Sequence, residues 1–396
     1  MDKFLKEFKD RGYFYQCTNE NELSKLINKE KIKGYIGFDC TAESLHVGSL
    51  LQIMCLRLLQ KYGHRPIVLL GGGTTRIGDP SGKDKTRKIL TEKEIDKNTK
   101  NIEKLLKKFL NNNDPKTKPI FVNNYFWLKN LNYISFLREI GKHFTINKML
   151  SFDSVKLRLD REQSLSYMEF NYMILQSYDF YQLYKKHDCI LQMGGSDQWG
   201  NIVSGVELIR RILQKNSYGL TTPLITLSSG AKMGKTEKGA VWLDQKMFSP
   251  YDYWQFWRNT SDNDVKKFLN YFTEIEVNEL SEKIENEKDI NNLKILLANE
   301  ATTIMHGAKA AKDCADTAKE TFVKGGLGKN IPMKTISRKK LSQGINIIEL
   351  IFQNGLVNSK SEVRRILNNN GIRVNDTVIS DEKKIINPFV PQDILP

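Results

Sequence analysis

A histidine, a glycine and a serine stand close together in the segment LHVGS, residues 45–49, between a predicted strand and a predicted helix. The unpaired N–H groups and the positive dipole end of a helix N-terminus bind phosphate. Gly48 would let a purine or a ribose lie against the backbone without a Cβ clash, and His46 could donate to a phosphate oxygen. An ordinary histidine at the start of a helix gives the same pattern, so both interpretations of His46 stay open.

Two lysines stand three positions apart in the segment KMGKT, residues 232–236, after the apolar run PLITL. Lysine supplies a flexible point charge, and the neighbouring glycine and threonine suit a loop that closes on a polyphosphate. In a chain rich in lysine the same segment is typical of a solvated loop, so the sequence leaves both alternatives.

Three polar residues share one face of the predicted helix YMEFNYMILQSYDFYQLY. Tyr172, Gln176 and Asp179 lie at positions i, i+4 and i+7. Ser166 and Glu169 have the spacing of a capping box that would start this helix. Polar side chains in so apolar a helix are costly to bury without partners. The face therefore suits either a polar ligand or an internal hydrogen-bond network.

The other glycine-rich segments do not match known nucleotide motifs. GDPSGKD, residues 78–84, has three residues rather than four before its Gly-Lys pair, which excludes a Walker P-loop. GGGTTRIG lacks the register of the dinucleotide fingerprint. The five cysteines and five histidines have no metal-site spacing, so we expect reduced thiols and no protein-bound metal.

The elements that would position these residues alternate between strand and helix in the first half of the chain. GYIGFD (34–39), the helix SLLQIMCLRLLQKYGH and the strand IVLL form a β-α-β unit. CILQM (189–193) is a further strand that runs into GGSDQWGN and a helix. The pattern predicts a doubly wound parallel sheet with ligands at the carboxyl ends of the strands.

The remaining segments predict an insertion and two further parts. Residues 84–118 are rich in lysine and helical, which suggests a solvated insertion. From residue 248 the chain is helical and amphipathic, and GGLGKNIP (325–332) is typical of a linker. Residues 334–396 have ten Lys or Arg against six Asp or Glu. A basic helix face there suits either RNA binding or simple solvation.

The composition narrows the class of protein and its partners. The chain of 396 residues has 61 Lys or Arg and 46 Asp or Glu, a formal net charge of +15. Such a surplus favours a polyanion, most often nucleic acid or an anionic membrane surface. No run reaches the roughly 18 apolar residues of a membrane span, and the first residues lack the apolar core of a signal peptide. We therefore expect a cytoplasmic protein with no membrane partner.

Five motifs, in order, resemble those of class I aminoacyl-tRNA synthetases, and more narrowly the bacterial tyrosyl-tRNA synthetases. They are GYIGFDCTAESLHVGS, GDPSGK, NYMILQSYDF, GGSDQWGN and KMGKT. The resemblance implies a Rossmann-like, doubly wound parallel α/β sheet, then an α-helical domain and a small α+β RNA-binding module similar to ribosomal small-subunit protein S-four. The implied parts are a catalytic domain (1–229) with a helical dimerisation insertion (near 88–160), a mobile KMGKT loop (230–247), a helical anticodon-recognition domain (248–322), a linker (323–333) and the RNA-binding module (334–396).

The resemblance also implies roles for the residues that match the family's motifs. The matches to the tyrosine pocket are Tyr35, Gly37, Asp79, Tyr172, Gln176, Asp179 and Gln198. The matches to the ATP and adenylate site are Asp39, His46, Gly48, Gly195, Asp197 and Lys235. The matches to the catalytic phosphate and pyrophosphate donors are Thr41, His46, Ser49, Lys83, Arg87, Lys232, Lys235 and Thr236. Tyr35 and Asp179 match the pair that holds the substrate phenol.

The implied reaction is the ATP-dependent, AMP-forming ligation of L-tyrosine to tRNA-Tyr. The tyrosine carboxylate attacks the α-phosphate of ATP, giving tyrosyl-AMP and pyrophosphate, and the acyl group then passes to the 3′-terminal adenosine of the tRNA. Catalysis would rest on positioning and on stabilisation of charge. Mg²⁺ would arrive with ATP, no prosthetic group is implied, and members of the family are homodimers.

The chain departs from the family's pattern in places, and rival interpretations remain. The fourth position of the usual His-x-Gly-His signature is Ser49, whose hydroxyl can donate a hydrogen bond but cannot take up the charge of an imidazole. The nearest rival is a tryptophanyl-tRNA synthetase. Tyr35 and Asp179 argue against it, because this polar pair suits a substrate of the size of a phenol. Another rival is an RNA-binding protein that kept the fold and lost catalysis, against which Asp79 and the intact lysines of KMGKT argue.

Overall fold

A six-stranded sheet forms the centre of the first part of the chain in the computed structural model. Its strands are β1 (Gln16–Cys17), β2 (Lys33–Asp39), β3 (Arg65–Gly71), β4 (Ile120–Asn123), β5 (Cys189–Gly195) and β6 (Tyr218–Thr222). Their order across the sheet is β1-β6-β5-β2-β3-β4, with β1 antiparallel to β6 and every other neighbour parallel. The predicted doubly wound parallel sheet is confirmed.

The chain divides into two units, Met1–Gly328 and Lys329–Pro396, and each has an apolar core of its own. The residues that the structure describes are 2–80, 90–110, 114–230, 233–236, 239–323, 336–337, 341–357, 359–368, 371–374 and 377–387. Among these residues, no helix is long and apolar enough to cross a membrane.

Helices cover the sheet and extend from it. Those up to the last sheet strand are α1 (Lys3–Asp10), α2 (Glu20–Lys29), α3 (Leu50–Lys61), α4 (Glu92–Phe109), α5 (Tyr125–Leu128), α6 (Tyr133–Glu139), α7 (Ile146–Leu150), α8 (Asp153–Asp160), α9 (Tyr167–Phe170), α10 (Tyr172–His187) and α11 (Trp199–Leu213). A hairpin of β7 (Lys235–Thr236) and β8 (Gly239–Ala240) follows β6.

The strand order reverses between β2 and β5. β3 and β4 extend the sheet beyond β2, whereas β6 extends it beyond β5. In open α/β sheets, ligands bind at such a switch point, outside the carboxyl ends of the strands. The segments that follow β2 and β5 are among those in which the sequence predicts nucleotide contacts.

The helix α4 corrects one expectation. Residues 84–118 were expected to form a solvated insertion, and α4 is indeed helical and bears many lysines. Its apolar side, however, is buried in the main core, with Ile102 and Leu106 fully covered. The helix is the crossover between the parallel strands β3 and β4, and such a connection packs on the face of the sheet. The lysines therefore mark only its solvent side.

In the first unit, five helices follow the hairpin among the residues that the structure describes, as the amphipathic pattern from residue 248 predicts. They are α12 (Pro250–Arg258), α13 (Asp262–Phe272), α14 (Val277–Asn286), α15 (Ile290–His306) and α16 (Ala308–Val323). Their buried residues, among them Trp257 and Phe268, belong to the same apolar cluster as α1, α3 and α4. Arg11 at the end of α1 strengthens this junction, because its guanidinium donates to the carbonyls of Thr273 and Ile275.

The second unit is a small α+β module. It contains β9 (Ile345–Asn346), α17 (Ile347–Gln353), α18 (Lys360–Asn368), β10 (Arg373–Val374), β11 (Thr377–Val378) and β12 (Ile385–Ile386). β9 pairs with β12 and β10 with β11, both antiparallel. The backbone N–H of Glu362 donates to the Ser359 hydroxyl at 3.2 Å, and Val363 and Leu367 of α18 are buried while Arg365 is exposed. The predicted helix with a basic outer face is confirmed.

We predict that Leu106→Ala lowers the free energy of unfolding by about 2–5 kcal/mol, because it opens a cavity in the main core. Lys104→Ala, on the solvent side of the same helix, is the matched control and should change stability by less than about 0.5 kcal/mol. Urea denaturation of both variants measures the difference. Equal, small effects would mean that α4 is the solvated insertion first expected.

Candidate active site

A cavity of about 400 Å³ opens at the carboxyl ends of β2 and β5. It is lined by fourteen of the residues that the sequence singles out, and by Thr74, Asn124, Gln192 and Trp242 in addition. The fourteen are Tyr35, Gly37, Asp39, Thr41, His46, Gly48, Ser49, Asp79, Tyr172, Gln176, Asp179, Gly195, Asp197 and Gln198. Residues far apart in sequence are thus brought to one place by the parallel sheet.

The helix α10 contributes its polar face to this cavity. Tyr172, Gln176 and Asp179 all line it, as the spacing predicts. The capping box is present too, since the Glu169 N–H donates to the Ser166 hydroxyl and the Ser166 N–H to the Glu169 carboxylate. It starts the short helix α9, and α10 begins after a break of one residue.

Asp179 is a buried carboxylate at the inner end of the cavity, with 1% of its surface exposed. One oxygen accepts from the Asn124 amide at 2.9 Å and the other from the Trp127 indole N–H at 2.7 Å. Burial raises the pKa of Asp179 to about 7, although both donors act to lower it. Near neutral pH the Asp179 carboxyl group therefore exists both in its charged form, which only accepts hydrogen bonds, and in its protonated form, which can also donate one.

Tyr35 points its hydroxyl into the same inner end. Its side chain is 1% exposed and its ring packs on Phe180 with centroids 5.3 Å apart. The hydroxyl has no hydrogen-bond partner among the residues that the structure describes. Burial, and then the nearby Asp179 carboxylate, raise the pKa of Tyr35. A buried hydroxyl without a partner costs about 1–3 kcal/mol, so a ligand hydroxyl here would relieve that cost.

Two more carboxylates lie along the cavity, each held by its neighbours. Asp39 accepts from the Thr74 hydroxyl at 2.8 Å and from the Tyr172 phenol at 3.1 Å. Asp79 accepts from the Gln198 amide at 2.9 Å. Two carboxylates between neutral donors make the middle of the cavity suitable for a cation such as an ammonium group.

Gln176 and Gln198 are linked through a third amide. Asn201 donates to the Gln176 carbonyl oxygen at 2.9 Å and to that of Gln198 at 3.1 Å. All three side chains come from the segment after β5 or from α10. These two hydrogen bonds fix the orientation of the Gln176 and Gln198 amides, and both residues line the cavity.

Residues 46–49, which we call the HVGS turn, form the outer end of the cavity. The Gly48 N–H donates to Nδ1 of His46 at 3.0 Å, which leaves the proton of a neutral imidazole on Nε2. A Cβ at position 48 would lie 2.6 Å from the His46 ring and 3.1 Å from the Met233 carbonyl. Glycine is therefore needed for this close approach, and the turn packs against the segment that contains KMGKT.

The KMGKT segment is tied to the HVGS turn by its backbone. The Val47 N–H donates to the Val241 carbonyl, and the Val241 N–H to that of Gly234. Lys235 and Thr236 belong to β7. The structure does not describe their side chains, and Lys83, Arg87 and Lys232 lie outside the described residues altogether. Their roles as phosphate donors stay predictions.

Three polar groups that donate to Asp179 or Asp39 were missed in the sequence. Asn124 holds Asp179, accepts from the Gly73 N–H at 2.7 Å and donates to the Thr74 hydroxyl at 3.0 Å. It follows β4 directly, so the rule that polar residues at strand ends line the site would have found it. Trp127 and Thr74 gave no such signal, because nothing local distinguishes them from packing residues.

Comparison with known proteins agrees with this geometry. Residues 27–323 match the model of the class I tRNA synthetase family described as W and Y. The chain belongs to this family.

Two relatives and one solved structure show how close the similarity is. The chain is 70% identical, over 98% of its length and 94% of the relative's, to a protein named tyrosine–tRNA ligase from Pelagibacter ubique (strain HTCC1062). It is 51% identical, over 97% of its length and 94% of the relative's, to the protein of that name from Rickettsia rickettsii (strain Sheila Smith). A C-terminally truncated mitochondrial tyrosyl-tRNA synthetase from Aspergillus nidulans superposes with a TM-score of 0.74 at 28% identity, covering 81% of this chain and 95% of the other.

We predict that Asp179 makes the ligand-free protein less stable as the pH rises from about 4 to about 7. Its pKa is about 7 in the folded protein against an ordinary value of 3.8, so the folded chain keeps a proton that the unfolded chain releases. This group should lower the free energy of unfolding by roughly 2–4 kcal/mol over that window.

Urea denaturation across that window, without tyrosine, compares the protein with Asp179→Asn. The variant is neutral at every pH and should lose this part of the pH dependence. Asp188→Asn, an exposed carboxyl at the end of the same helix, is the control. An Asp179→Asn variant with the original pH dependence would contradict the burial argument.

Proposed function

We infer that the chain is a tyrosine–tRNA ligase, which activates L-tyrosine with ATP and transfers it to tRNA-Tyr. The observation that carries the inference is the buried pair at the closed end of the cavity, the Tyr35 hydroxyl and the Asp179 carboxylate. A phenol placed between them can bond to both polar groups, whereas phenylalanine leaves the Tyr35 hydroxyl without a partner and adds no hydrogen bond to Asp179. The relatives named tyrosine–tRNA ligase, similar over almost the whole chain, support the same substrate.

The tyrosine ammonium binds in the middle of the cavity. Asp79 supplies the negative charge, and Tyr172 and Gln176 supply neutral oxygens. In the structure the Tyr172 phenol donates to Asp39 and Asp79 accepts from Gln198. The same side chains can turn their lone pairs to an ammonium, because a hydroxyl and an amide both donate and accept. Gly37 keeps the wall beside the substrate flat.

The adenylate lies toward the outer end. Asp39, Gly195 and Asp197 hold its backbone and ribose, and Gly48 gives the nucleotide access to the backbone. Support for this comes from the cavity lining, which includes all four residues. His46, whose Nδ1 is engaged by Gly48, presents its Nε2 proton to the phosphates.

The chemistry is a displacement at phosphorus that needs no covalent enzyme intermediate. An oxygen of the tyrosine carboxylate bonds to the α-phosphorus of ATP while the bond from that phosphorus to the pyrophosphate oxygen breaks. Positioning and charge stabilisation supply the catalysis. The donors are Thr41, His46, Ser49, Lys83, Arg87, Lys232, Lys235 and Thr236. Mg²⁺ arrives on the ATP phosphates, whose oxygens it prefers, and no prosthetic group takes part.

The second step needs tRNA, and the charge of the chain suits it. A net charge of +15 attracts the phosphate backbone. The 3′-terminal adenosine then takes the tyrosyl group from the adenylate and releases AMP. The helical part, 248–322, is proposed to read the anticodon and the module 334–396 to hold RNA with the exposed basic face of α18. The protein acts in the cytoplasm and has no membrane partner.

We expect Tyr35→Phe and Asp179→Asn each to reduce the preference for tyrosine over phenylalanine by about tenfold or more, since the first removes a buried hydroxyl and the second replaces a carboxylate acceptor by a neutral amide. The measurement is the ratio of kcat/KM for charging tRNA-Tyr with the two amino acids. Tyr181→Phe, on the same helix but outside the cavity lining, is the matched control. Unchanged selectivity in both site variants would contradict the assignment of the phenol pocket and, with it, of the substrate.

A second copy of this chain is the proposed partner of an exposed apolar face. The face comprises α5, α6 and α9 and includes Phe126, Tyr133, Ile134 and Tyr167, all more than half exposed. A groove of about 440 Å³ with mostly apolar walls runs between these helices. Contiguous apolar surface of this kind marks an interaction site, and a homodimer is what the family resemblance implies.

We predict that Ile134→Glu converts the dimer to a monomer at micromolar concentration. The substitution puts two carboxylates into a symmetric interface, since each copy contributes the same face, and should raise the dimer dissociation constant by roughly 100-fold or more. Analytical ultracentrifugation measures it. Leu356→Glu, an equally exposed leucine in the second unit, should leave the dimer intact. Identical sedimentation of both variants would exclude this face.

A further inference from the structure

One wall of the cavity is a segment without a strand partner over most of its length. Pro223, Leu224 and Ile225 follow β6 and line the cavity. Leu224 lies near Gly195, because a Cβ placed on Gly195 would be 3.6 Å from a methyl carbon of Leu224. We call residues 223–228 the wall segment. It borders the adenylate end of the cavity and continues toward KMGKT, with the Met233 N–H donating to the Ile225 carbonyl at 3.3 Å.

Side chains of α13 hold the backbone of this wall segment. The Ser228 N–H donates to Asp264 at 2.9 Å, and the Lys267 ammonium donates to the Thr226 carbonyl at 2.8 Å. Asp264 and Lys267 are themselves paired at 2.9 Å. One carboxylate and one ammonium thus bind a backbone donor and a backbone acceptor two residues apart. α13 belongs to the helical part that follows the catalytic sheet.

Asp264 is poorly explained as a surface charge. It is 2% exposed, and its pairing with Lys267 is what allows a carboxylate to be buried to that degree. The carboxylate binds the Ser228 N–H of the wall segment directly and also pairs with Lys267, which binds the Thr226 carbonyl. Asp262, two positions earlier on the same helix, shows the contrast, because 66% of its side chain is exposed and it pairs with Lys294 away from the wall segment.

We propose that Asp264, assisted by Lys267, is a positioning residue for the ATP end of the reaction. It fixes the wall segment against the adenylate end of the cavity from a helix outside the catalytic sheet. The proposal rests on the proposed function. The phenol end is built by β2, α10 and the segment after β4, none of which contacts Asp264 through a described hydrogen bond. Loss of Asp264 therefore affects ATP and leaves tyrosine binding unchanged.

The test uses the full-length protein and single-turnover formation of tyrosyl-adenylate, with ATP and tyrosine varied separately. Asp264→Asn keeps the shape and loses the charge. We expect it to raise the ATP concentration for half-maximal rate by about three- to tenfold, since a charge-assisted hydrogen bond becomes a neutral one and the wall moves. The tyrosine dissociation constant, from equilibrium dialysis, should stay within about twofold.

Two further variants make the outcome decisive. Asp262→Asn is the matched control and should behave like the unmodified protein in both measurements. Lys267→Met removes the donor to Thr226 while keeping the apolar stem, and should repeat the ATP effect even where Asp264→Asn fails to fold. An ATP dependence unchanged in Asp264→Asn and Lys267→Met, or equal losses for ATP and tyrosine, would overturn the proposal. An unmodified protein that forms no tyrosyl-adenylate would instead overturn the proposed function.

Discussion

A buried carboxylate that must keep its hydrogen bonds sets the geometry of this site. Asp179 is held by the Asn124 amide and the Trp127 indole, so the end of β4, the helix α5 and the helix α10 have to meet at one point. Removing either donor would leave a buried charge with one partner fewer, which is among the more costly changes a protein core can suffer. The closed end of the cavity, and the position of the Tyr35 hydroxyl beside it, follow from this meeting.

The rest of the fold places the reacting groups around that fixed end. Parallel strands bring their carboxyl ends to one edge of the sheet, and the reversal of strand order between β2 and β5 leaves room there for a ligand. The HVGS turn closes the outer end through backbone bonds to the segment after KMGKT. The helical part shares the apolar core of the sheet, and through Asp264 it also reaches the cavity wall.

Strand and helix periodicity predicted most of the fold, because these patterns are local signals. Most of the residues that line the cavity were predicted only through the resemblance of five motifs to the synthetase family. The sequence misjudged α4, since lysines on one face of a helix do not reveal what the other face covers. It missed Trp127 and Thr74, whose roles depend on side chains more than 30 positions away in sequence. Nor could the spacing reveal that the Tyr172 phenol donates to Asp39. Such pairings depend on three-dimensional distances, which sequence spacing does not give.

The most direct measurement of the central claim is amino-acid-dependent ATP–pyrophosphate exchange without tRNA, with tyrosine, tryptophan and phenylalanine tested separately. In one experiment it reports both the binding of the amino acid's side chain at the closed end of the cavity and the displacement at the α-phosphorus of ATP at the outer end. The account predicts exchange with tyrosine and only background exchange with the other two. Exchange driven by tryptophan, or no exchange with any of them, would contradict it.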